Sequence, residues 1–351
     1  MNSLTPQYAL KKVLAQQLDW HGARVSFLAH FIIALFQVKT VNLAELATAF
    51  NGRVKPESNY KRLQRFLRGF DLHYERLARL VVSLMPLDEG RWYLTLDRTN
   101  WRFGRHEINI LMLGIAYRGV AVPVMWTVLA KAGNSNTSER IALIERFVSV
   151  FGREPIAALL ADREFVGQAW FTYLQRQGIP FRIRIKHNTL IPNHWNNLFP
   201  ARVLLGPLKP GEQRVLTGRR PVWGCFLHLV ALGLDDGQLL ILVTTDRPEQ
   251  AVADYAQRWA IETLFGCLKS RGFRFEDTHL THPERISKLI ALLALAFVWA
   301  YRVGEIHSHN QPIPFKKRSS DRSSHCSGTA SIASASSCLI SPTNAALSSA
   351  S

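Results

Sequence analysis

Apolar residues over positions 1–88 recur with the period of an α-helix. Asn42, followed three residues later by Glu45, is typical of an N-terminal capping box, and Gly52 is expected to end that helix. A second short helix is predicted from about Ser58 to Arg68, with apolar residues on one face and basic residues on the other. Residues 1–88 are therefore predicted to form a small helical domain.

After Gly90 the period changes to two, which predicts strands. RWYLTLDRTNW alternates, and the runs INILMLGIAY and VAVPVMWTVL predict a hairpin that turns at Arg118 and Gly119. A helix, a nearly all-apolar strand, a second helix and a fifth strand follow in IALIERFVSVFG, IAALLADREF, GQAWFTYLQRQG and IPFRIRIK. The order β-β-β-α-β-α-β is that of a ribonuclease H-like fold. We therefore expect an α/β fold with such a catalytic core, its first part at residues 89–187.

Residues 188–246 interrupt this pattern and are predicted to form a β-rich insertion in the core. Residues 247–310 return to helical spacing, with one long helix from about Gln250 to Ser270 and another from Ile286 to Val303. The second helix contains the most apolar run of the chain, Leu289–Tyr301. Thirteen residues are too few to cross a bilayer, so a buried helix is expected and a membrane is not expected as a partner.

The composition changes abruptly in residues 311–351. Thirteen of the residues from 319 to 351 are serine and no periodicity remains, so this tail is expected to be disordered. A frameshift after the Phe315 codon would produce such a change, and a sensible alternative reading frame downstream would support this hypothesis. The start of the chain has no apolar signal-peptide segment, which predicts a cytoplasmic protein.

The charge of the chain indicates a polyanionic partner. The net charge is +17, and 47% of the residues are apolar, which excludes a wholly disordered chain. Four cysteines without a C-x-x-C pair exclude a small disulfide or zinc scaffold. No phosphate-binding glycine loop is present, so a nucleotide cofactor is not expected.

Two segments concentrate the basic residues. Between Arg53 and Arg79 there are eight Lys and Arg against three acids, and Lys61, Arg62 and Arg65 lie on the polar face of the second helix. This arrangement predicts a helix-turn-helix-like DNA-binding module, and the alternative is an ordinary solvated helix face.

The fifth predicted strand is basic on one face only. In FRIRIK, Arg182, Arg184 and Lys186 alternate with apolar residues, and the surrounding stretch Arg176–Arg220 has nine Lys and Arg against one Glu. We interpret the basic face as a track for DNA phosphates. The alternative is a charged edge strand that prevents aggregation.

Two acids occupy positions that suggest catalysis. Asp97 lies on the first strand and Asp162 ends the fourth, and these two strands are neighbours in a ribonuclease H-like sheet. Adjacent carboxylates repel each other unless a cation lies between them, and Mg²⁺ prefers carboxylate oxygens. Two such ions about 3.5–4 Å apart can activate a nucleophile and stabilise a leaving oxygen in phosphoryl transfer.

The long helix predicted after residue 250 supplies a third acid. At about 100° per residue, Tyr255, Arg258, Glu262 and Lys269 share one narrow stripe beside an apolar face. Glu262 would complete the metal site, Arg258 and Lys269 would hold phosphates, and Tyr255 would stack on a base or bond a phosphate. The alternative is an Arg258–Glu262 surface salt bridge, which explains neither Tyr255 nor Lys269.

The spacing Y-x2-R-x3-E-x6-K of these four residues resembles the signature of bacterial insertion-sequence DDE transposases in the group named after insertion sequence 4. Asp97 in LTLDRTNW and Asp162 in LLADREFVG are similar in context to the first and second catalytic acids of that family. The resemblance covers about residues 40 to 305.

The resemblance implies a reaction, a cofactor and partners. Two Mg²⁺ ions, for which Mn²⁺ can substitute, would support cutting of DNA at the ends of the element, with hairpin ends as the expected intermediate. The freed 3′-OH ends would then join target DNA inside a homodimer in the bacterial cytoplasm, at the nucleoid. Trp259, Trp223 and Trp195 are candidates for stacking on an extruded base, although a tryptophan at such a position is more often simply a core residue. Arg98 and Arg163 would contact phosphates or pair with acids.

The Ser-rich tail departs from the family pattern, in which an ordered basic segment follows the last core helix. One alternative is therefore a catalytically idle DNA-end-binding relic or repressor of transposition. A ribonuclease H-like hydrolase that stops after cutting is a second alternative, and a metabolite enzyme is a third.

Overall fold

The computed structural model describes residues 6–50, 54–87 and 90–310. Its helices are α1 Pro6–Gln17, α2 Gly22–Val38, α3 Leu43–Phe50, α4 Pro56–Gly69, α5 Tyr74–Ser83, α6 Thr137–Phe151, α7 Gln168–Arg176, α8 Ala201–Leu205, α9 Ala251–Ala256, α10 Trp259–Leu268 and α11 Pro283–Asn310. Its strands are β1 Trp92–Phe103, β2 His106–Tyr117, β3 Val120–Leu129, β4 Ile156–Ala161, β5 Phe181–Ile185, β6 Leu190–Pro192, β7 Leu198–Pro200, β8 Gln213–Val215, β9 Arg220–Val222, β10 Cys225–Gly233 and β11 Leu239–Thr244.

The helices α1 to α5 precede the first strand. At the start of α3, the Asn42 side chain accepts a hydrogen bond from the Ala44 amide at 2.9 Å, which satisfies one free N–H of the first turn. The buried Asn59 amide on α4 donates to the Ala47 carbonyl of α3 at 3.1 Å and fixes the two helices to each other. The predicted end of α3 at Gly52 and the tail at 311–351 lie outside the described residues.

The strands β1, β2 and β3 form an antiparallel meander. Arg118 and Gly119 both have positive φ angles, 44° and 81°, which is the backbone of a tight hairpin turn that follows the twist of the strands. Helix α6 begins with a complete capping box between Asn136 and Glu139 and ends at Gly152. The bounds of these elements agree with the sequence predictions to within a few residues.

The central sheet has the order β3-β2-β1-β4-β5-β11-β10-β8, and β9 also pairs with β10. The pairs β1–β4 and β4–β5 are parallel, and α6 and α7 provide the connections. The carboxyl ends of β1, β4 and β5 therefore meet at one edge of the sheet.

The strands of the 188–246 segment extend this same sheet. Strand β11 pairs antiparallel with β5, with Val243 opposite Ile183, and β10 and β8 follow. Only β6 and β7 form a separate hairpin sheet among the described residues. Strand β5 is therefore an interior strand, and its interpretation as an edge strand is wrong.

The helix expected from about Gln250 to Ser270 is interrupted. A single 3₁₀ turn at Pro248–Gln250 leads into α9, and a turn at Gln257 and Arg258 separates α9 from α10. The last long helix, α11, starts three residues before the predicted helix and extends beyond it. Its segment Pro283–Glu305 has the length and mean hydropathy, 1.7, of a membrane span, but 83% of that window is buried inside the molecule. The bent pair α2–α3 is a second candidate only if it counts as one span.

One contiguous apolar core joins the N-terminal helices to the sheet. The Phe36 ring of α2 lies 5.9 Å from that of Phe273, and the Thr40 hydroxyl donates to Asp277 at 3.3 Å. The helical segment is thus packed directly on the body that carries the acids.

Candidate active site

Asp97 and Asp162 stand side by side at the edge of the sheet. In the parallel β1–β4 pair, Leu96 lies opposite Ala161; Asp97 follows Leu96 on β1, and Asp162 comes directly after the end of β4. The side chains of Asp97 and Asp162 are 19% and 31% exposed, so both carboxylates remain accessible from solvent. The strand order predicted from sequence places these two acids as the structure has them.

Arg258 bridges Asp97 and Glu262. Its Nη1 lies 3.4 Å from Asp97 Oδ2, and its Nη2 donates to Glu262 Oε1 at 2.6 Å. The i,i+4 pair Arg258–Glu262 therefore exists, but the Arg258 side chain is only 9% exposed and also contacts Asp97 on the first strand. It is not the exposed helix salt bridge that the alternative interpretation supposed.

The interruption between α9 and α10 aligns Tyr255 with Arg258. The Arg258 amide donates to the Tyr255 carbonyl at 2.9 Å, which is the i→i−3 bond of a 3₁₀ turn. In such a turn residues three apart lie one above the other. The Arg258 guanidinium accordingly sits 5.6 Å from the centre of the Tyr255 ring, and the Tyr255 hydroxyl donates to Asp162 Oδ1 at 3.4 Å.

The basic face of β5 is divided between the site and the interior. Arg184 Nη1 lies 3.8 Å from Asp162 Oδ1, and Lys186 is exposed just beyond the strand. Arg182 is fully buried and pairs with Asp246 and Asp254. The prediction that Arg182 contacts DNA is therefore wrong, because helix α9 covers this part of the face and excludes a phosphate.

Lys269 lies at the edge of the site, beyond the end of α10. Its Nζ donates to the Asn100 carbonyl at 3.2 Å, pairs with Glu276 at 2.8 Å and lies 5.3 Å from the centre of the Trp101 ring. Asn100 is three residues after Asp97 on β1, so Lys269 is near the carboxylates without touching them. The single-stripe arrangement predicted for a continuous helix holds for Tyr255, Arg258 and Glu262 alone.

The stacking candidates differ in exposure. Trp259 begins α10 with 46% exposure, next to the Arg258 guanidinium at 6.0 Å. Trp195 is 72% exposed at the tip of the β6–β7 hairpin. Trp223 is partly buried with its ring 5.4 Å from that of Phe171, so it packs on the core and offers little surface for a base.

The predicted contacts Lys61, Arg62 and Arg65 lie on α4, in the N-terminal helical segment. Lys61 and Arg65 are exposed, and the Arg62 guanidinium lies 5.6 Å from the Phe50 ring.

Of the arginines next to the acids, Arg98 pairs with Glu164 at 3.2 Å and donates to Asn109 at 3.0 Å, whereas Arg163 is exposed. Arg98 is therefore an ion-pair partner that supports the strand.

Burial controls the protonation of Asp97. Removal from water raises the pKa of Asp97 to about 6, although the Arg98 amide and the Arg258 guanidinium both lower it. Burial likewise raises the pKa of the Tyr255 hydroxyl, which extends to higher pH the range over which that group is a hydrogen-bond donor.

The donor chemistry of Asp97 and Asp162 fits a hard divalent cation. Both supply carboxylate oxygens from adjacent strands, and both are partly exposed, which leaves room for water and phosphate oxygen. Among the described residues, no three His, Cys, Asp or Glu side chains lie close enough together to hold one ion. Glu262 is turned to Arg258, so its part in metal binding is not formed in this arrangement.

Comparison with known proteins agrees with this geometry. Residues 88–299 match a family model described as the transposase DDE domain. The chain belongs to the transposase DDE domain family. No curated protein matches the chain.

Membership in the DDE transposase family implies DNA binding and a requirement for divalent metal ions. The mixed α/β sheet, with its acids at one edge, is consistent with that domain. Sequence reasoning did not identify the second group of polar residues around α9, namely Tyr93, Asp254 and Asp246. The available signal was weak: Tyr93 shares a strand face with Asp97, and Asp254 directly precedes Tyr255.

Proposed function

We propose that this DDE transposase cuts the ends of an insertion sequence of the insertion-sequence-4 group and joins the 3′-OH ends to target DNA. The observation that carries the proposal is the meeting of Asp97, Asp162 and the Tyr255–Arg258–Glu262 turn at one sheet edge. The strand order β3-β2-β1-β4-β5 supports a ribonuclease H-like core. Hairpin ends, synapsis in a homodimer and action on nucleoid DNA in the cytoplasm belong to the same proposal.

The proposed site would hold Mg²⁺, or Mn²⁺ in its place, at Asp97 and Asp162, with Glu262 as the third acid and two ions in all. Bound there, the ions would supply Lewis-acid stabilisation of the charge that develops during phosphoryl transfer. Arg258 keeps Asp97 and Glu262 close together without metal, because its guanidinium offsets part of their mutual repulsion. When DNA is bound, Arg258 and Arg184 are placed to share their charge with the scissile phosphate.

Tyr255 and Lys269 have distinct proposed roles. The Tyr255 hydroxyl points at Asp162, so it orients that carboxylate and can donate to a phosphate oxygen. Lys269 lies beside Asn100, farther along β1, and would hold a neighbouring phosphate as a point charge. Trp259 is the proposed stacking surface in this region because its ring is exposed next to Arg258.

The helical segment supplies the proposed contact with duplex DNA. A cavity of about 330 Å³ lies between α3, α4 and the start of α11, and its lining includes Tyr60, Gln64, Arg68, His279 and Arg285. None of the residues that line it is acidic. The residues that line this cavity would bind backbone phosphates of a duplex held by Lys61, Arg62 and Arg65. They would thereby direct that duplex toward the sheet edge that carries the acids.

The test is metal-dependent cutting of a labelled duplex that carries the terminal repeat of the chain's own element. With Mg²⁺ or Mn²⁺, the wild-type chain should nick the repeat end and give hairpin and strand-transfer products. Asp97→Ala should remove all three products. Asp19→Ala is the matched control, because its side chain is 96% exposed on the helical segment.

The outcomes separate the candidate functions. Nicking without strand transfer would favour a ribonuclease H-like hydrolase that stops after cutting. Specific binding of the repeat without any cleavage would favour the idle end-binding protein or repressor. Equal nicking by wild type and Asp97→Ala would contradict the proposed site.

A further inference from the structure

A buried polar cluster lies on the same sheet face as the carboxylates. The Tyr93 hydroxyl donates to Asp254 Oδ1 at 2.6 Å, and Arg182 Nε donates to Asp254 Oδ2 at 3.3 Å. Arg182 Nη1 also pairs with Asp246 at 2.8 Å. The proposed reaction uses none of these four residues, so their arrangement needs a separate explanation.

The cluster and the site share two strands and one helix. Tyr93 precedes Asp97 by four residues on β1, and Arg182 precedes Arg184 by two on β5, so each pair lies on one face of its strand. Asp254 on α9 is hydrogen-bonded to Tyr93 and Arg182 of this cluster. The next residue along α9, Tyr255, contacts Asp162 in the proposed catalytic site.

Stability alone does not account for the cluster. Arg182 is fully buried, and its Nη2 has no hydrogen-bond partner, which is unfavourable. Buried ion pairs contribute little net stability compared with apolar residues of similar volume. They are directional, however, and here both oxygens of Asp254 are bonded to different strands. This fixes the rotation of α9, a helix of only six residues.

We propose that Tyr93, Arg182 and Asp254 are positioning residues that orient α9 so that Tyr255 and Arg258 face the catalytic carboxylates. The inference rests on the proposed function. A rotation of α9 would carry Tyr255 away from Asp162 and would move the turn that places Arg258 between Asp97 and Glu262. Displacements of about 1 Å at such groups can lower a rate about a hundredfold.

The kinetic test compares two variants of the same cluster. Asp254→Asn weakens the link between α9 and the sheet. Asp246 is the other acidic partner of Arg182 but lies outside α9, so Asp246→Asn removes a charge from the cluster and leaves that link in place. We expect Asp254→Asn to lower the single-turnover nicking rate on the repeat duplex about tenfold or more, with the half-saturating DNA concentration unchanged within twofold. Asp246→Asn should keep most of the rate. Tyr93→Phe removes only one hydroxyl and should also lower the nicking rate. This milder variant keeps the test decisive if Asp254→Asn fails to fold.

A second measurement does not depend on activity. In protein labelled with 5-fluorotryptophan, the ¹⁹F resonance of Trp259, assigned with Trp259→Phe, reports the start of α10. We expect this resonance to shift or broaden in Asp254→Asn and Tyr93→Phe but not in Asp246→Asn.

Equal rates and equal Trp259 resonances in Asp254→Asn and Asp246→Asn would overturn the proposal. If the wild-type chain does not nick DNA, the proposed function fails, and the fluorine spectra alone then decide whether the cluster orients α9.

Discussion

At the scale of single residues, Arg258 organises the site in the absence of metal. It contacts Asp97 and Glu262 and lies against the Tyr255 ring, so one guanidinium joins two carboxylates that the sequence separates by 165 positions. The meeting of Asp97 and Asp162 could be predicted from strand order alone. The burial of Arg182 could not, because an alternating strand looks the same whether its polar face meets solvent or a helix.

The raised pKa of Asp97 predicts a pH-dependent affinity for metal. Burial favours the neutral carboxyl and moves its pKa to about 6, so below that pH protons compete with a divalent ion. We expect Mn²⁺ affinity, measured by titration calorimetry, to be constant above about pH 7 and to fall up to about tenfold per unit below pH 6. Asp97→Asn should abolish this dependence. Undiminished Mn²⁺ affinity at pH 5 would show that Asp97 is not a ligand.

At the scale of elements, local patterns predicted most strands and helices because each has a clear period and clear end signals. The exception is the break between α9 and α10. No Gly or Pro lies between Ala251 and Phe265, and the 3₁₀ turn at Gln257 and Arg258 arises where α9 is bonded to the sheet through Asp254. A helical wheel assumes continuity and therefore could not show that Lys269 lies outside the stripe.

Strand β2 has no room for an added methyl group at Gly114, where it faces β3. A Cβ atom there would lie 2.9 Å from the Ala121 Cβ and 3.1 Å from the Val122 carbonyl oxygen. We expect Gly114→Ala to lower the free energy of unfolding by about 1–3 kcal/mol in urea denaturation. Gly69→Ala is the control, because nothing lies within 4 Å of its added Cβ, and it should cause no loss. Equal stability of the two variants would mean that the sheet relaxes freely at this position.

Helix α4 predicts a salt-dependent contribution to DNA binding. The exposed residues Lys61, Arg65 and Arg68 together offer three positive charges on one helix. Replacing all three with Gln should reduce the slope of log affinity against log salt by about 2–3, because each lost phosphate contact accounts for about 0.9. Fluorescence anisotropy on the repeat duplex measures this slope. A pair of Gln replacements at the exposed Lys11 and Lys12 of α1 should leave it unchanged, and an unchanged slope in the α4 variant would remove α4 from the interface.

At the scale of the whole molecule, the sheet and the N-terminal helices form one body. The strands of the 188–246 segment could be predicted as strands, but the pairing of β11 with β5 joins residues that lie far apart in the sequence. The predicted division into a helical domain and a core did not anticipate that α2 and α11 share one apolar core. Periodicity identifies which face of a helix is buried and does not identify the element that covers it.

This shared core predicts cooperative unfolding. The Phe36–Phe273 contact and the Thr40–Asp277 hydrogen bond would be lost if the helical segment separated. We expect one transition in urea, with coincident curves from far-ultraviolet circular dichroism and tryptophan fluorescence. Two resolved transitions, with helix signal lost first, would show instead that residues 6–87 unfold on their own.

The order of the catalytic residues along the chain has a consequence for biosynthesis. Asp97 and Asp162 leave the ribosome long before Glu262, and the strands β10 and β11 that complete the sheet beside β5 are made in between. At about 5–20 residues per second, the hundred residues from Asp162 to Glu262 take about 5–20 s to synthesise. Helix α11 and Phe273, which share the apolar core of α2, are made later still, so during that interval the helical segment lacks its packing partners as well. A growing polypeptide is therefore expected to complete the proposed DNA-binding helix α4 and the catalytic edge together, and only after α11 has been made.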